Sequence, residues 1–194
     1  MLDTVQVSAP ENLSNDEIEA EMLKCGVSPL YFVMNYVYIF DPADGGWIPF
    51  QLWSSQRYLL SLIHNNKKIV ILKARQVGIS WLAIAYGLWG MLFRPTFVAL
   101  FFSHTEDEAK YLIGHERMRG MYTALPTWMK AQSTVIDDVK QWQLSNGSSV
   151  RAFSPRRGDS YSANYAFLDE ADLYPNLKVT LGRISPTVEA GGKI

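Results

Sequence analysis

The stretch IVILKARQVGIS, residues 69–80, decides the fold expected for this chain. Its β-branched beginning predicts a buried strand over Lys68–Leu72, and a polar loop follows over Lys73–Gly78. An apolar helix is predicted next over Ile79–Phe93, and then a second buried strand over Phe97–Phe102. A strand, a loop, a helix and a further strand in this order predict a parallel α/β unit with a right-handed crossover.

The loop itself is close to a phosphate-binding motif, G-x-x-x-x-G-K-[ST], but it departs from that pattern at two positions. Gly78 and Ser80 match the second glycine and the hydroxyl residue. Ile79 stands at the lysine position, and Lys73 stands where the first glycine is usual. Lys73 and Arg75 are the cations that could reach bound phosphates. The alternative is an ordinary strand-to-helix turn with two solvated cations.

If the loop binds a nucleoside triphosphate, backbone N–H groups at the helix start would hold the phosphates. A lysine charge would then lie near the β and γ oxygens, and a hydroxyl would bind Mg²⁺. The expected ATP-binding residues of the loop are Lys73, Ala74, Arg75, Gln76, Val77, Gly78, Ile79 and Ser80.

A pair of carboxylates follows another buried strand, Tyr165–Leu168. An apolar strand that ends in Asp169-Glu170 is the Walker B pattern, in which the first acid binds Mg²⁺ and the second polarises the attacking water. A solvated acidic pair at a strand end is the alternative, and it becomes less favoured beside a loop of the type described above.

Two further groups are weaker candidates. Gln56 and Arg57 lie on a predicted helix, Ser54–His64, where an amide could read the adenine edge and Trp53 could stack on its face. The alternative is a surface glutamine on an amphipathic helix, with Trp53 in the core. Arg157, in a polar loop, could stabilise transition-state charge, or could equally be a solvated cation or a phosphate contact.

Composition limits the class of protein. The chain has 194 residues, of which 48% are hydrophobic, so it can form a core, and its net charge of −1 provides no overall basic surface for DNA. Cys25 is the only cysteine, which fits a reducing compartment. The first residues lack the features of a signal peptide, and Arg94-Pro95 divides the apolar stretch Trp81–Phe102 into pieces too short to cross a membrane.

The other predicted elements complete an α/β pattern. Helices are predicted from Ser14 to Lys24 and over Thr105–Ala124. Short antiparallel strands are predicted over Thr134–Ile136, Gln141–Leu144 and Ser149–Phe153, with a hairpin turn at Asn146-Gly147 and a turn entering a strand at Gly191–Ile194.

The motifs in this order resemble the ATPase domain of the large terminase subunit of tailed bacteriophages. The resemblance covers about 49–194 and rests on the following residues: Pro49-Phe50, Trp53, Gln56-Arg57, Lys73, Arg75-Gln76, Gly78, Ser80, Glu108-Ala109, Leu125-Pro126, Arg157-Gly158 and Leu168-Asp169-Glu170-Ala171. It implies an α/β P-loop NTPase of the ASCE/RecA-like type, with a mainly parallel β-sheet flanked by helices.

The family's site is implied residue by residue. A variant loop with its lysine at the start is well represented there, so Lys73 takes the lysine role. Ser80 and Asp169 would be the Mg²⁺ ligands, and Glu170 the catalytic carboxylate. Gln56, with Arg57 beside it, would read adenine, and Arg75 from within the subunit or Arg157 toward a neighbour would complete the site.

The resemblance also implies a biological setting. The large terminase hydrolyses Mg-ATP to move double-stranded DNA into a procapsid, as a homo-oligomeric ring that works with portal protein and the small terminase subunit in the host cytoplasm. Two departures are expected. The strand with the family's Ser/Thr-rich coupling motif would begin at about Ile194, and the C-terminal nuclease domain is absent. We expect an N-terminal helical and aromatic segment over 1–48 and an incomplete ATPase domain over 49–194.

Two other interpretations stay open. Asp169-Glu170-Ala171-Asp172 spells the signature tetrad of superfamily-2 helicases, but such enzymes normally keep Gly-Lys-Thr in the loop, where Ile79 stands here. A non-enzymatic scaffold that binds DNA or portal protein is the third interpretation. It does not explain why Ser80, Asp169 and Glu170 are all present.

Overall fold

The computed structural model describes residues 12–156, 161–188 and 191–194. Seven α-helices lie within these residues: α1 (Asn15–Val27), α2 (Pro29–Tyr36), α3 (Ser54–Asn65), α4 (Ile79–Phe93), α5 (Glu106–Ile113), α6 (Met118–Ala124) and α7 (Leu177–Val188). The strands in the same residues are β1 (Tyr38–Asp41), β2 (Gly46–Pro49), β3 (Val98–Phe102), β4 (Thr134–Asp138), β5 (Gln141–Leu144), β6 (Ser149–Phe153) and β7 (Tyr165–Leu168). The chain is therefore mixed α/β, as predicted.

The main sheet has the order β4-β5-β6-β3-β7. Pairing is parallel between β6 and β3 and between β3 and β7, and antiparallel on both sides of β5. Only β5 therefore runs against the other four strands, and the sheet is mostly parallel. The predicted hairpin turn between β5 and β6 is confirmed, because Gly147 has a φ of 82° that a glycine adopts without strain.

Helix α4 lies at the centre of the larger hydrophobic cluster. From Leu82 to Leu92 it is buried on all sides, which is why its sequence is apolar all round. Helices α1, α2, α3, α5 and α6 contact it, together with β3 and β6. The other face of the sheet is covered by α7 through a smaller cluster that includes Leu100, Ile184 and Val188. A buried helix followed by a buried parallel strand is the arrangement that was predicted for this stretch.

The N-terminal segment packs directly on α4. The Trp89 Nε1–H donates to the Cys25 carbonyl at 2.8 Å, and the Phe32 and Phe93 rings meet edge to face at 5.5 Å. Helix α1 begins with a capping box between Ser14 and Glu17. The division into 1–48 and 49–194 stays a prediction, and residues 1–11 lie outside the described part of the chain. No helix in that part is both long and apolar enough to cross a membrane.

Two predicted elements are wrong. The single helix over Thr105–Ala124 is two helices, because α5 ends at Ile113 and Gly114 begins the turn that leads to α6. The strand over Lys68–Leu72 is not formed, although the residues are β-branched. Its backbone pairing stops at Ile69, whose N–H donates to the Ile194 carbonyl at 2.9 Å, and a strand needs a continued ladder.

Candidate functional site

The loop and the acidic strand end meet in space. Ser80 lies in the first turn of α4, and its Oγ donates to the Asp169 carboxylate, with distances of 3.0 and 2.9 Å to the two oxygens. Asp169 directly follows β7, so this contact places the carboxyl end of β7 beside the start of α4. Two residues far apart in sequence are therefore joined where ligands of open α/β sheets usually bind.

The backbone of the loop has two left-handed residues close to the start of α4. Gln76 and Gly78 both have left-handed φ values, 61° and 70°. Such conformations beside a helix start turn successive N–H groups toward one concave point, which favours a bound anion. Gly78 is also the residue that precedes α4, so this turn leads directly into the helix.

A buried amide holds this turn in place. Gln56 is only 4% exposed, and its Oε1 accepts from the Trp53 N–H at 2.8 Å while its Nε2 donates to the Val77 carbonyl at 3.1 Å. The neighbouring Arg57 donates through Nε to the Leu52 carbonyl at 3.0 Å. The side chains of Gln56 and Arg57 are thus both hydrogen-bonded to the protein backbone. Adenine recognition by these two residues stays a prediction.

Gly78→Ala is expected to destabilise the protein by about 1–2 kcal/mol, since a left-handed φ is costly for any residue with a Cβ. The added Cβ would also lie 2.7 Å from the Gln56 Nε2, which would have to give way. The free energy of unfolding from urea titration measures this change.

Gly182→Ala is the matched control. Gly182 lies inside α7, where a new Cβ meets no other atom within 4 Å. Alanine should stabilise a helix interior there by about 0.5–1 kcal/mol. If both substitutions change the free energy of unfolding equally, the loop does not have the left-handed turn described here.

The two cations of the loop are exposed and lie on the side of the carboxylates. Lys73 and Arg75 line a groove of about 560 Å³ together with Asp169 and Glu170. The second predicted arginine, Arg157, lies outside the described residues. The structure therefore brings Lys73, Arg75, Ser80, Asp169 and Glu170 to one edge of the sheet.

Glu170 has a strained backbone. Its φ and ψ are 48° and 44°, in the left-handed region, and it precedes a short 3₁₀ turn over Ala171–Leu173. This conformation costs about 1–2 kcal/mol for a residue other than glycine. Strain of this kind is concentrated at functional sites, where the surrounding structure compensates for it.

Burial raises the pKa of the Asp169 carboxyl above its usual value, and the nearby Glu170 charge acts in the same direction. The hydrogen bond from Ser80 and the charge of Lys73 oppose that shift. The raised pKa means that burial disfavours the Asp169 charge. A cation bound at its oxygens would offset that cost.

Several polar residues at this edge were not predicted. Ser103 directly follows β3, and its Oγ donates to a Glu108 oxygen at 3.1 Å, while His104 Nδ1 contacts the same carboxylate. Tyr174 is buried, and its pKa is raised by burial and by the charges of Asp169 and Glu108. The position of Ser103 and His104 after a parallel strand is the sequence signal that could have identified them.

The oxygen ligands at this site fit Mg²⁺ rather than a metal whose whole coordination shell comes from protein side chains. Magnesium keeps several waters and uses one or two carboxylates together with phosphate oxygens. Ser80 and Asp169 provide a hydroxyl and a carboxylate in contact with each other. No group of three or more His, Cys, Asp or Glu side chains suited to a metal occurs in the described residues.

The chain has a structural relative. No protein-family model and no curated protein matches the sequence, but the fold is similar to the large terminase ATPase domain of Thermus phage P74-26. The TM-score is 0.52 at 19% sequence identity, and the match covers 68% of this chain and 59% of that structure. The similarity shows a shared fold between this chain and an ATPase domain.

Proposed function

We propose that this protein is a P-loop ATPase that hydrolyses Mg-ATP. The observation that carries the proposal is the hydrogen bond between Ser80, at the start of α4, and Asp169, at the end of β7. A loop that leads into a helix and an acidic strand end in contact with it correspond to the two halves of a nucleoside triphosphate site.

Each residue has a role in the proposed site. Lys73 and the loop N–H groups neutralise the phosphates, and Ser80 and Asp169 would hold Mg²⁺, which supplies positive charge to the phosphate oxygens when bound. Glu170 orients and polarises the water for in-line attack on the γ-phosphate. Arg75, or Arg157 from a neighbouring subunit, stabilises charge that develops in the transition state.

We further propose that this ATPase works in a viral DNA-packaging motor. The motif set and the fold of the phage large terminase ATPase domain support this assignment. Its partners would then be double-stranded DNA, portal protein and the small terminase subunit, in a ring of identical subunits in the host cytoplasm. A net charge of −1 favours DNA contacts that are local or shared among subunits.

A second candidate is a superfamily-2 helicase-like DNA translocase, which the tetrad Asp169-Glu170-Ala171-Asp172 favours. The two candidate functions differ in whether the strands of the DNA duplex are separated. A helicase unwinds a duplex with a single-stranded tail when it hydrolyses ATP, whereas a packaging ATPase moves along intact duplex DNA.

The test of the proposed function is the magnesium dependence of ATP binding. We expect Mg-ATP to raise the Tm of the protein more than ATP with EDTA does, because Ser80 and Asp169 would bind the Mg²⁺ of the nucleotide. A ligand present at one hundred times its Kd stabilises the folded state by about 2.7 kcal/mol. Ser80→Ala and Asp169→Asn should each remove the difference between the two conditions.

Ser61→Ala provides a matched control, because Ser61 is an exposed serine of α3 away from the site. It should keep the full magnesium effect. A wild-type protein with the same Tm with and without Mg-ATP, and no ATP hydrolysis, would rule out the assignment.

A further inference from the structure

The left-handed backbone at Glu170 is part of a short hydrogen-bonded turn. Its carbonyl accepts from the Leu173 N–H at 2.9 Å. The next carbonyl, of Ala171, accepts from the Tyr174 N–H at 3.2 Å. These bonds close the 3₁₀ turn over Ala171–Leu173, which has no buried residue of its own. Because a strained conformation persists only where the surrounding structure fixes it, this turn needs an anchor outside itself.

Tyr174 is the residue that fixes this turn to the core. It directly follows the turn and is only 6% exposed, whereas Leu173 before it is 46% exposed. Its side chain belongs to the smaller hydrophobic cluster, together with Leu100 and Phe102 of β3 and Ile184 of α7. The ring therefore joins the turn to the sheet and to the helix that covers it.

The backbone on the other side of Tyr174 is fixed as well. Proline restricts the residue before it to extended conformations, and Tyr174, which precedes Pro175, has a φ of −72° and a ψ of 133°. The 3₁₀ turn consequently ends here. Asn176 then caps α7, because its Oδ1 accepts from the Val179 N–H at 3.1 Å. Tyr174 is thus held between two ordered segments.

The Tyr174 hydroxyl takes no part in this anchoring. It is buried, and it has no hydrogen-bond partner among the residues that the structure describes. A buried hydroxyl without a partner destabilises the folded state, so phenylalanine at this position would keep the ring contacts without losing a hydrogen bond. The apolar ring is therefore the part of the side chain that fixes the turn.

We propose that Tyr174 is a positioning residue for hydrolysis, whose buried ring keeps Glu170 in the left-handed conformation that directs its carboxylate to the attacking water. The inference rests on the proposed function, in which Glu170 polarises this water. A general base has to lie within hydrogen-bond reach of the water, and a displacement of about 1 Å can lower a rate about 100-fold. A smaller side chain at position 174 would release the turn and let Glu170 relax to an ordinary backbone conformation.

The test replaces Tyr174 by leucine and by phenylalanine. Tyr174→Leu should lower kcat at least about tenfold and change the Kd for Mg-ATP less than about twofold, because the residues proposed to bind the phosphates are unchanged. Tyr174→Phe should keep wild-type kcat, because the ring remains. Single-turnover hydrolysis and a titration of ATP binding measure the two quantities.

Ile184→Ala is the matched control for lost packing. Ile184 is fully buried in the same cluster but lies on α7, outside the turn. Its truncation should lower the urea midpoint of unfolding, as Tyr174→Leu does, and keep wild-type kcat. A loss of kcat that Ile184→Ala shares with Tyr174→Leu would overturn the proposal, since lost packing alone would explain it. Wild-type kcat in Tyr174→Leu, or a Tyr174→Phe variant that is equally slow, would also overturn it.

Amide hydrogen exchange gives a readout that does not need ATP. The Leu173 amide, which donates to the Glu170 carbonyl, should exchange at least about tenfold faster in Tyr174→Leu than in the wild type or in Ile184→Ala. Equal exchange in all three proteins overturns the proposal even if the wild type hydrolyses ATP. If the wild type does not hydrolyse ATP, the proposed function fails, while faster exchange in Tyr174→Leu still shows that the ring fixes the Glu170 turn.

Discussion

Glu170→Ala abolishes ATP turnover and leaves ATP binding intact: this is the expected result if Glu170 polarises the attacking water. The loss should be at least 100-fold in kcat, the lower end of what a positioned general base contributes. Binding should be retained because Lys73 and the loop N–H groups would still neutralise the phosphates, and Ser80 and Asp169 would still hold Mg²⁺. Single-turnover hydrolysis and a separate titration of ATP binding measure the two effects.

The control for this prediction is Glu116→Ala, which removes an exposed glutamate between α5 and α6. It should keep wild-type kcat. Glu170→Gly adds a second readout, because glycine relieves the left-handed strain and should be more stable than Glu170→Ala by about 1 kcal/mol. Wild-type turnover in either Glu170 variant would refute the catalytic role.

The second large effect concerns Lys73, which is proposed to take the role of the usual loop lysine. Lys73→Ala should weaken ATP binding at least tenfold with little change in the free energy of unfolding, because the side chain is exposed. A charge about 4 Å from a phosphate oxygen contributes up to about 4 kcal/mol near a protein surface. Calorimetric titration with Mg-ATP gives the affinity, and urea titration gives the stability.

Ile79→Ala should do the reverse. Ile79 is only 9% exposed, so its truncation should cost about 2–4 kcal/mol of stability while the folded molecules keep their ATP affinity. Equal losses of affinity in the two variants would mean that the loop does not use Lys73 in the lysine role. The comparison thus distinguishes a loop that binds ATP through Lys73 from a loop that has lost its ATP-binding function.

Local patterns predicted much of the fold. The capping residues at Ser14, the turn at Asn146-Gly147 and the apolar run of α4 each act within a few residues, so their outcomes could be read from the sequence. The break after Ile113 also had a local signal in Gly114, but the periodicity around it continued and favoured one long helix.

The errors and omissions come from long-range pairing. Whether residues 70–72 form a strand depends on a neighbouring backbone, which β-propensity does not specify. The bond from Gln56 to the Val77 carbonyl likewise requires α3 to pack beside the loop, a tertiary contact without a sequence pattern. The proximity of Ser80 and Asp169 was predictable because the hydroxyl of the loop motif and the first acid of the Walker B pattern are expected to hold the same Mg²⁺.

The complete burial of α4 makes the two ends of the loop over Lys73–Gly78 unequal in their freedom to move. One end of the loop continues into a helix that is packed on all sides and cannot shift without disturbing the core. The other end continues into residues 70–72, where Val70 and Leu72 are more than nine-tenths exposed. In the proposed ATPase, a force generated at the loop would therefore pass to the sheet edge rather than through α4, which would serve as its fixed support.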